Sequence, residues 1–397
     1  MYICTQIAYK ITSAMKRNYI LSILTVAMLL PFTAVKAQFD AGDSTVCYNI
    51  MTNNFSAANM LNWNDPNPAN WLAVEWNTAT PKRIIRLSLD QDGVLSGKAF
   101  YDGLGAGDIP QEDGFVDIGG VDAELTGVLD LSALAELKFL DLRNQGLVTS
   151  LNLTGLNNLE HFIVNKTNAL ITSYDFSNMA NLQYVSMSYG TNTITSIDAS
   201  NCPRLKSIKT KSDGLISLNI TGSDSLIGLS LNDANLVSLD VTTKTQLRHL
   251  KMKNSDSLTT LVGVNNCDSL IHIAFRRSNN LVAEFDFVDY NTANFLGFDV
   301  RETKVRSANS WDLLGPGIQK MRFSDASLTL SNATQIANEL TVGSLDFDFD
   351  NQTRHGGDTI YTGGATSYPG EDLIDINGTD VASTFTLFDF TGTQVGA

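Results

Sequence analysis

Histidine and cysteine are scarce in this 397-residue chain, with four of each. The histidines are His161, His249, His272 and His355, and none belongs to a His-Glu-x-x-His helix. The chain also has no Gly-x-Ser-x-Gly elbow and no phosphate-binding loop. Asp346, Asp348 and Asp350 alternate along one extended segment, whereas a glycosidase sets two carboxylates across a cleft. No catalytic residue, metal site or cofactor is therefore expected, and the chain does not read as an enzyme.

Basic charge and long apolar runs are scarce as well. Four of the 27 Lys and Arg lie before residue 38 and none of the 42 Asp and Glu does, which leaves 23 against 42, a formal balance of −19. That much acid keeps a protein soluble and discourages nonspecific contact with nucleic acid or an anionic membrane. The one long apolar run, from Tyr19 to Phe32, is shorter than the roughly 20 residues a spanning helix needs. It follows Lys16-Arg17 and precedes the small-residue site Val35-Lys36-Ala37. Residues 1–37 thus read as a signal peptide, with Gln38 the mature start, Met15 a candidate initiator and a secreted or cell-surface destination.

What the chain does contain is a repeat. Apolar residues stand at positions 1, 4 and 6 of a unit that recurs at Leu137/Leu140/Leu142, Leu159/Phe162/Val164, Leu182/Val185/Met187 and Leu205/Ile208/Thr210. It continues at Leu226/Leu229/Leu231, Leu247/Leu250/Met252 and Leu270/Ile273/Phe275, then less cleanly to Val342/Leu345/Phe347. The steps between first positions run from 21 to 25 residues. A fixed period of this length marks a solenoid. In an extended segment positions 4 and 6 share a face while 5 and 7 point the other way, so each repeat offers one strand with an apolar inner side. One repeat cannot bury that side alone; stacked repeats bury a continuous core and pair into a parallel sheet.

This pattern resembles the leucine-rich repeats of secreted bacterial proteins over residues 84–349. The resemblance implies a curved parallel sheet on the concave side and a mostly irregular convex side. A second run in each repeat, LVTSLNL, LITSYDF, TITSIDA, LISLNI and LVSLDV, is expected to cover the convex side as short extended turns rather than helices. Gln145, Asn168, Asn192, Asn232 and Asn254 are expected to satisfy backbone groups at the turns. Cys202 and Cys267 each sit three residues before a strand's first Leu, three rungs apart. At about 4.8 Å per strand that is roughly 14 Å, too far for a disulfide, which needs Cα atoms within about 7 Å.

Residues 38–83 read as an amino-terminal cap. Asp43-Ser44 precedes a short helical pattern, and Trp63, Trp71 and Trp76 cluster in WNDPNPANWLAVEW. Bulky aromatics seal the open end of a solenoid, though aromatic faces also stack on sugars. The sequel KRIIRLSLDQDGVLSG resembles the first repeat after the cap of extracellular leucine-rich-repeat proteins, without the Cys pair found in plant versions. Between residues 99 and 125 a Gly- and Asp-rich insertion interrupts the period. Residues 350–397 read as a β tail, either the start of an immunoglobulin-like domain or a reduced cap.

Charge placement carries the functional expectation. Outward positions 2, 3, 5, 7 and 8 of the rungs hold 14 of the 23 basic residues that follow residue 37. The richest stretch contains Lys206, Lys209, Lys211, Arg248, Lys251, Lys253, Arg276 and Arg277, with His249 and His272 alongside, and Arg301 and Arg322 extend it. Tyr184 adds aromatic contact toward the amino-terminal rungs. A basic strip inside an acidic molecule focuses field and recruits anions, and solubilising lysine on a polar face is the plainer reading of the same residues. The expected function is non-catalytic binding or adhesion at or outside the cell surface, toward a protein or anionic glycan. The alternatives are a structural spacer and an accessory binding module of a larger surface enzyme.

Overall fold

Three inward residues per half-turn decide the architecture. The computed structural model describes residues 38–54, 61–89, 125–143, 145–164, 170–187, 194–286, 295, 297–300, 303–305, 307–309, 320–322, 346–348 and 376–377. The insertion at 99–124 and nearly all of the tail lie outside them.

The chain opens with helix α1 (Ala41–Asn53), capped by the Asp40 carboxylate, which accepts from the N–H groups of Gly42 and Asp43 at 2.8 and 3.0 Å. Strands β1 (Val74–Trp76) and β2 (Ile84–Ser88) pair antiparallel. The strands then alternate between two faces of a coil: β3 (Thr126–Asp130), β4 (Phe139–Leu142), β5 (Leu147–Asn152), β6 (His161–Val164), β7 (Ser173–Asp175) and β8 (Tyr184–Met187). They continue as β9 (Ser196–Asp198), β10 (Ser207–Lys211), β11 (Ser217–Asn219), β12 (Gly228–Asn232), β13 (Ser238–Asp240) and β14 (His249–Lys251). The last are β15 (Thr260–Val262), β16 (His272–Ala274), β17 (Glu284–Asp286), β18 (Gly297–Asp299), β19 (Ser307–Asn309), β20 (Lys320–Arg322), β21 (Asp346–Asp348) and β22 (Ile376–Asn377).

One sheet takes β1, β2 and then every even-numbered strand to β20, followed by β21 and β22. From β2 to β21 every neighbouring pair is parallel, as in the Ser207↔Gly228 and Ile208↔Leu229 register of β10 and β12. The opposite side is more regular than the sequence suggested. The second run of each repeat forms short strands that also pair in parallel, β3 with β5, β7 with β9 and β11, and β13 with β15. The reason is that these runs repeat the 1-4-6 spacing: Ile194/Ile197/Ala199 and Leu236/Leu239/Val241 are all buried. Each rung is two half-turns with the same inward arithmetic, and both contribute to one core.

Turns between half-turns are closed by an Asp or Asn at position 5 of the far strand. Asp130, Asn152, Asp175, Asp198, Asn219 and Asp240 each accept the backbone N–H two residues on, at 2.8–3.2 Å. On the other side of the coil Gln145 acts as expected, accepting from Leu125 N–H at 2.8 Å and donating to the Leu89 carbonyl. Asn232 accepts from Lys253 N–H, and the Asn254 amide donates to the Asp233 carboxylate. Cys202 and Cys267 are buried and unbridged, with Ser223 and Lys244 at the equivalent positions between them. Burial raises both thiol pKa values, that of Cys267 to about 12.

At the amino-terminal end Asp43 is fully buried and takes a two-pronged contact from Arg83, at 3.0 and 2.9 Å, plus the Ile84 N–H at 2.6 Å. Desolvation raises the pKa of this carboxyl, and the bonds from Arg83 and Ile84 oppose that shift. Trp63 and Trp71 are buried, and the indoles of Trp63, Trp71 and Trp76 donate to the carbonyls of Leu72, Asp65 and Pro68. These rings pack against one another at centroid distances of 5.8–6.4 Å.

Candidate binding faces

Parallel register converts sequence position into straight rows. On the main sheet, position 3 gives the row Arg86, Phe139, His161, Tyr184, Ser207, Gly228, His249, His272 and Gly297. Position 5 gives Ser88, Asp141, Ile163, Ser186, Lys209, Ser230, Lys251, Ala274 and Asp299. Both rows lie on the side away from the core, where the sequence put them.

The accessibility of that side differs from the expectation. Tyr184, His249 and Lys251 were read as outward-facing site residues, yet they are 3%, 0% and 7% exposed. Aromatic contacts account for Tyr184: His161 meets it edge-on at 5.0 Å, and the Lys206 ammonium lies 5.7 Å from its ring centre. The same row begins with Arg86 over Phe139 at 5.2 Å and Phe139 edge-on to His161 at 6.0 Å. Further along, His249 and His272 stack at 5.3 Å with planes 16° apart. Neither ring nitrogen of His249 has a hydrogen-bond partner. Burial, with the neighbouring His272 and Arg248 charges, pushes its pKa down to about 3; burial with Arg86 and Lys206 does the same to His161.

Of the other expected site residues, Lys211 and Arg277 are exposed, while Lys206, Lys209, Arg248, Lys253, His272 and Arg276 are half-buried. Lys209 and Lys251 share the position 5 row two rungs apart, roughly 10 Å. Arg277 sits in the left-handed backbone region at φ 58°, where the two preceding rungs place Asp233 and Asn254 at 60° and 55°. Short polar residues tolerate that region and arginine does so less readily. Some basic residues are balanced locally: Lys211 by Asp233 at 3.5 Å, Lys138 by Glu160 at 3.2 Å and Arg143 by Asp141 at 2.8 Å. Arg301 lies outside the described residues, and Arg322 is described only through its backbone, which pairs with Asp299.

The far face was not singled out as a site. Its position 2 row is Thr149, Thr172, Thr195, Ile216, Val237 and Thr259; its position 3 row is Ser150, Ser173, Ser196, Ser217, Ser238 and Thr260. No charged or aromatic residue stands in either row as far as β15; in β17 Glu284 takes the position 3 place, in register with Ser307. Ile216 and Val237 are each 64% exposed. The signal for this face was present in the sequence as the invariably short residues between the inward positions.

Among the described residues no group of His, Cys, Asp and Glu is placed to hold a metal ion, and no helix is long and apolar enough to cross a membrane. No family model matches the chain, and no curated protein matches it. Among solved structures it is similar to the functional domain of InlJ from Listeria monocytogenes, which includes a cysteine ladder, at 16% identity and a TM-score of 0.40 over 55% of this chain and 52% of that one. It is also similar to a plant ice-binding protein, at 15% identity and a TM-score of 0.48 over 74% of this chain and 88% of that one. The chain thus spans about half the length of the InlJ domain.

Proposed function

We propose that this chain is a non-catalytic binding protein, exported and acting at or outside the cell surface, whose main sheet face recognises an anionic ligand in a protein or glycan. The observation that carries the reading is the register of β10, β12, β14 and β16. It sets Lys209 and Lys251 in one row of an acidic chain, with Lys206, Arg248, Lys253 and Arg276 next to the same strands in sequence, which supports the reading. Arg277 supports it, because an arginine held in a left-handed position suits a functional demand better than a stability one. The test is binding of the chain from Gln38 onward to a sulfated and carboxylated glycan array and to an acidic peptide. Binding should weaken with salt and be lost when Lys209, Arg248 and Arg276 become Glu. Binding that is indifferent to both changes, or absent, would leave the chain as a spacer.

The far face favours a second reading. Within each paired block its rows repeat short hydroxyl and methyl groups at one strand spacing, about 4.8 Å. The Thr195 and Thr259 hydroxyls are fixed by donation to the carbonyls of Thr172 and Val237, at 3.0 and 3.2 Å. A stiff periodic grid of small groups holds water in a periodic arrangement, which is the chemistry of adsorption to ice. Inhibition of ice recrystallisation by the chain, abolished by Thr195→Lys and unaffected by Lys209→Glu, would establish it; no inhibition would remove it.

A further inference from the structure

Among the described residues the far face pairs in blocks, with no strand pairing between β5 and β7 or between β11 and β13. Within the blocks the position 6 N–H of one rung is donated to the position 5 carbonyl of the next: Leu131 to Asn152 at 3.1 Å, Phe176 to Asp198 at 2.7 Å and Ala199 to Asn219 at 2.8 Å. The position 3 N–H is donated backwards, as from Ser196 to the Thr172 carbonyl and from Ser217 to the Thr195 carbonyl. Between β5 and β7 neither bond is made. Among the described residues Leu153 does not reach Asp175, and Ser173 does not reach Thr149. A cleft of about 490 Å³ opens there instead, walled by Leu151, Leu153 and Thr154 on one side and Ser173, Tyr174 and Asp175 on the other.

The core of that rung is filled by rings. Phe162, Tyr174 and Phe176 meet at centroid distances of 5.0–5.9 Å, where the next rung holds Val185, Ile197 and Ala199. The main sheet stays paired through β4, β6 and β8, so the gap is a wedge on the far side alone.

We infer that this wedge is a binding site for an extended peptide segment of another protein, which completes the interrupted ladder as an inserted strand. The main chain of a strand supplies on its two edges the groups the cleft lacks: carbonyls for the N–H of Leu153 and Ser173, and N–H groups for the carbonyls of Thr149 and Asp175. Three residues of wall on each side match a three-residue strand, about 10 Å. The floor is apolar, with Ile171 and Met179 buried, so alternate side chains of the segment point into it. Asp175 is the sole charge in the lining, which selects an uncharged or lysine-bearing segment and separates this site from the anion-seeking face opposite.

The experiment pans random heptapeptides displayed on phage against the full chain, and then against Ser173→Pro and Tyr174→Ile. The first variant deletes a cleft-edge donor without touching the bonds to β9. The second gives the rung the Ile of its paired neighbour and takes a ring out of the cleft lining. Enriched peptides with alternating apolar residues should protect the Leu153 and Ser173 amides from hydrogen exchange. They should bind both variants at least ten-fold more weakly, and lose at least as much when their alternate amides are N-methylated. Failure to enrich any peptide, or peptides indifferent to the variants and to N-methylation, would overturn the proposal. Strong protection of both amides in the chain alone would also overturn it, because a segment of this chain would then fill the gap. Glycan binding by the basic face is unaffected by either result.

Discussion

The two faces of this solenoid obey one rule inward and opposite rules outward. Both place buried residues at positions 1, 4 and 6, as in Leu205/Ile208/Thr210 on the main sheet and Leu236/Leu239/Val241 on the far side. Outward, the main sheet carries long, charged and ring-bearing side chains, several of them buried against their neighbours, whereas the far face carries only short ones. Inward positions answer to the core, which treats both faces alike. Outward positions are where one repeat protein acquires properties another lacks.

The comparison breaks most violently if an inward residue is treated as an outward one. Ile197→Asp puts an unpaired charge among buried neighbours and should cost more than about 4 kcal/mol. Its neighbour Ser196→Asp, on the same strand, should stay within about 0.5 kcal/mol. Urea melts of the two variants check the contrast, and equal losses would mean that the far strands do not share the core.

Next in size is the division of labour between faces. Glu at Lys209, Arg248 and Arg276 together should weaken anionic ligand binding ten-fold or more, while Thr195→Lys leaves it within two-fold. A titration at two salt concentrations reads both.

Acid sharpens the contrast further. His161 and His249 are held neutral by burial, with pKa values near 3. At neutral pH they carry no ionisation penalty. As pH falls below about 6.5 the unfolded chain takes up protons that the folded chain refuses, so stability declines until about pH 3 and then levels. On the far side, hydrogen bonds from the Ser132 and Thr242 side chains and N–H groups lower the Asp130 and Asp240 pKa values. Their contribution is present above about pH 3.9 and lost only as pH falls through the lowered values. His249→Leu should therefore flatten the stability profile between pH 6 and 4, and Asp240→Ala should not.

The smallest effect is at Arg277. Asn there, as at the equivalent position one rung earlier, should raise stability by about 0.5–1 kcal/mol and weaken ligand binding together. A gain in stability with unchanged binding would reduce this arginine to an accident of the turn.

Much of this was legible in the sequence, unevenly. The main strands could be read because Leu, Ile and Phe at 1-4-6 leave little else to infer. The far strands were visible as a second run but read as turns, since Ser, Asn and Asp at positions 3 and 5 are turn formers and from β7 onward each strand is only three residues long. Position 5 does serve the turn: Asp198 and its counterparts cap the chain two residues on. What no single repeat could disclose is anything created between rungs. The burial of Tyr184 depends on His161 beside it, the stack of His249 on His272, and the wedge on two neighbouring far strands that do not pair. Each requires the register before it exists.

The unpaired junctions of the far face bear also on how the molecule would come apart. A stack of repeats is only as cooperative as its weakest junction. The bonds absent between β5 and β7, and again between β11 and β13, make both junctions seams. Blocks of rungs can unzip along them while the rest stays folded, so force or dilute denaturant should melt this chain in more than one step.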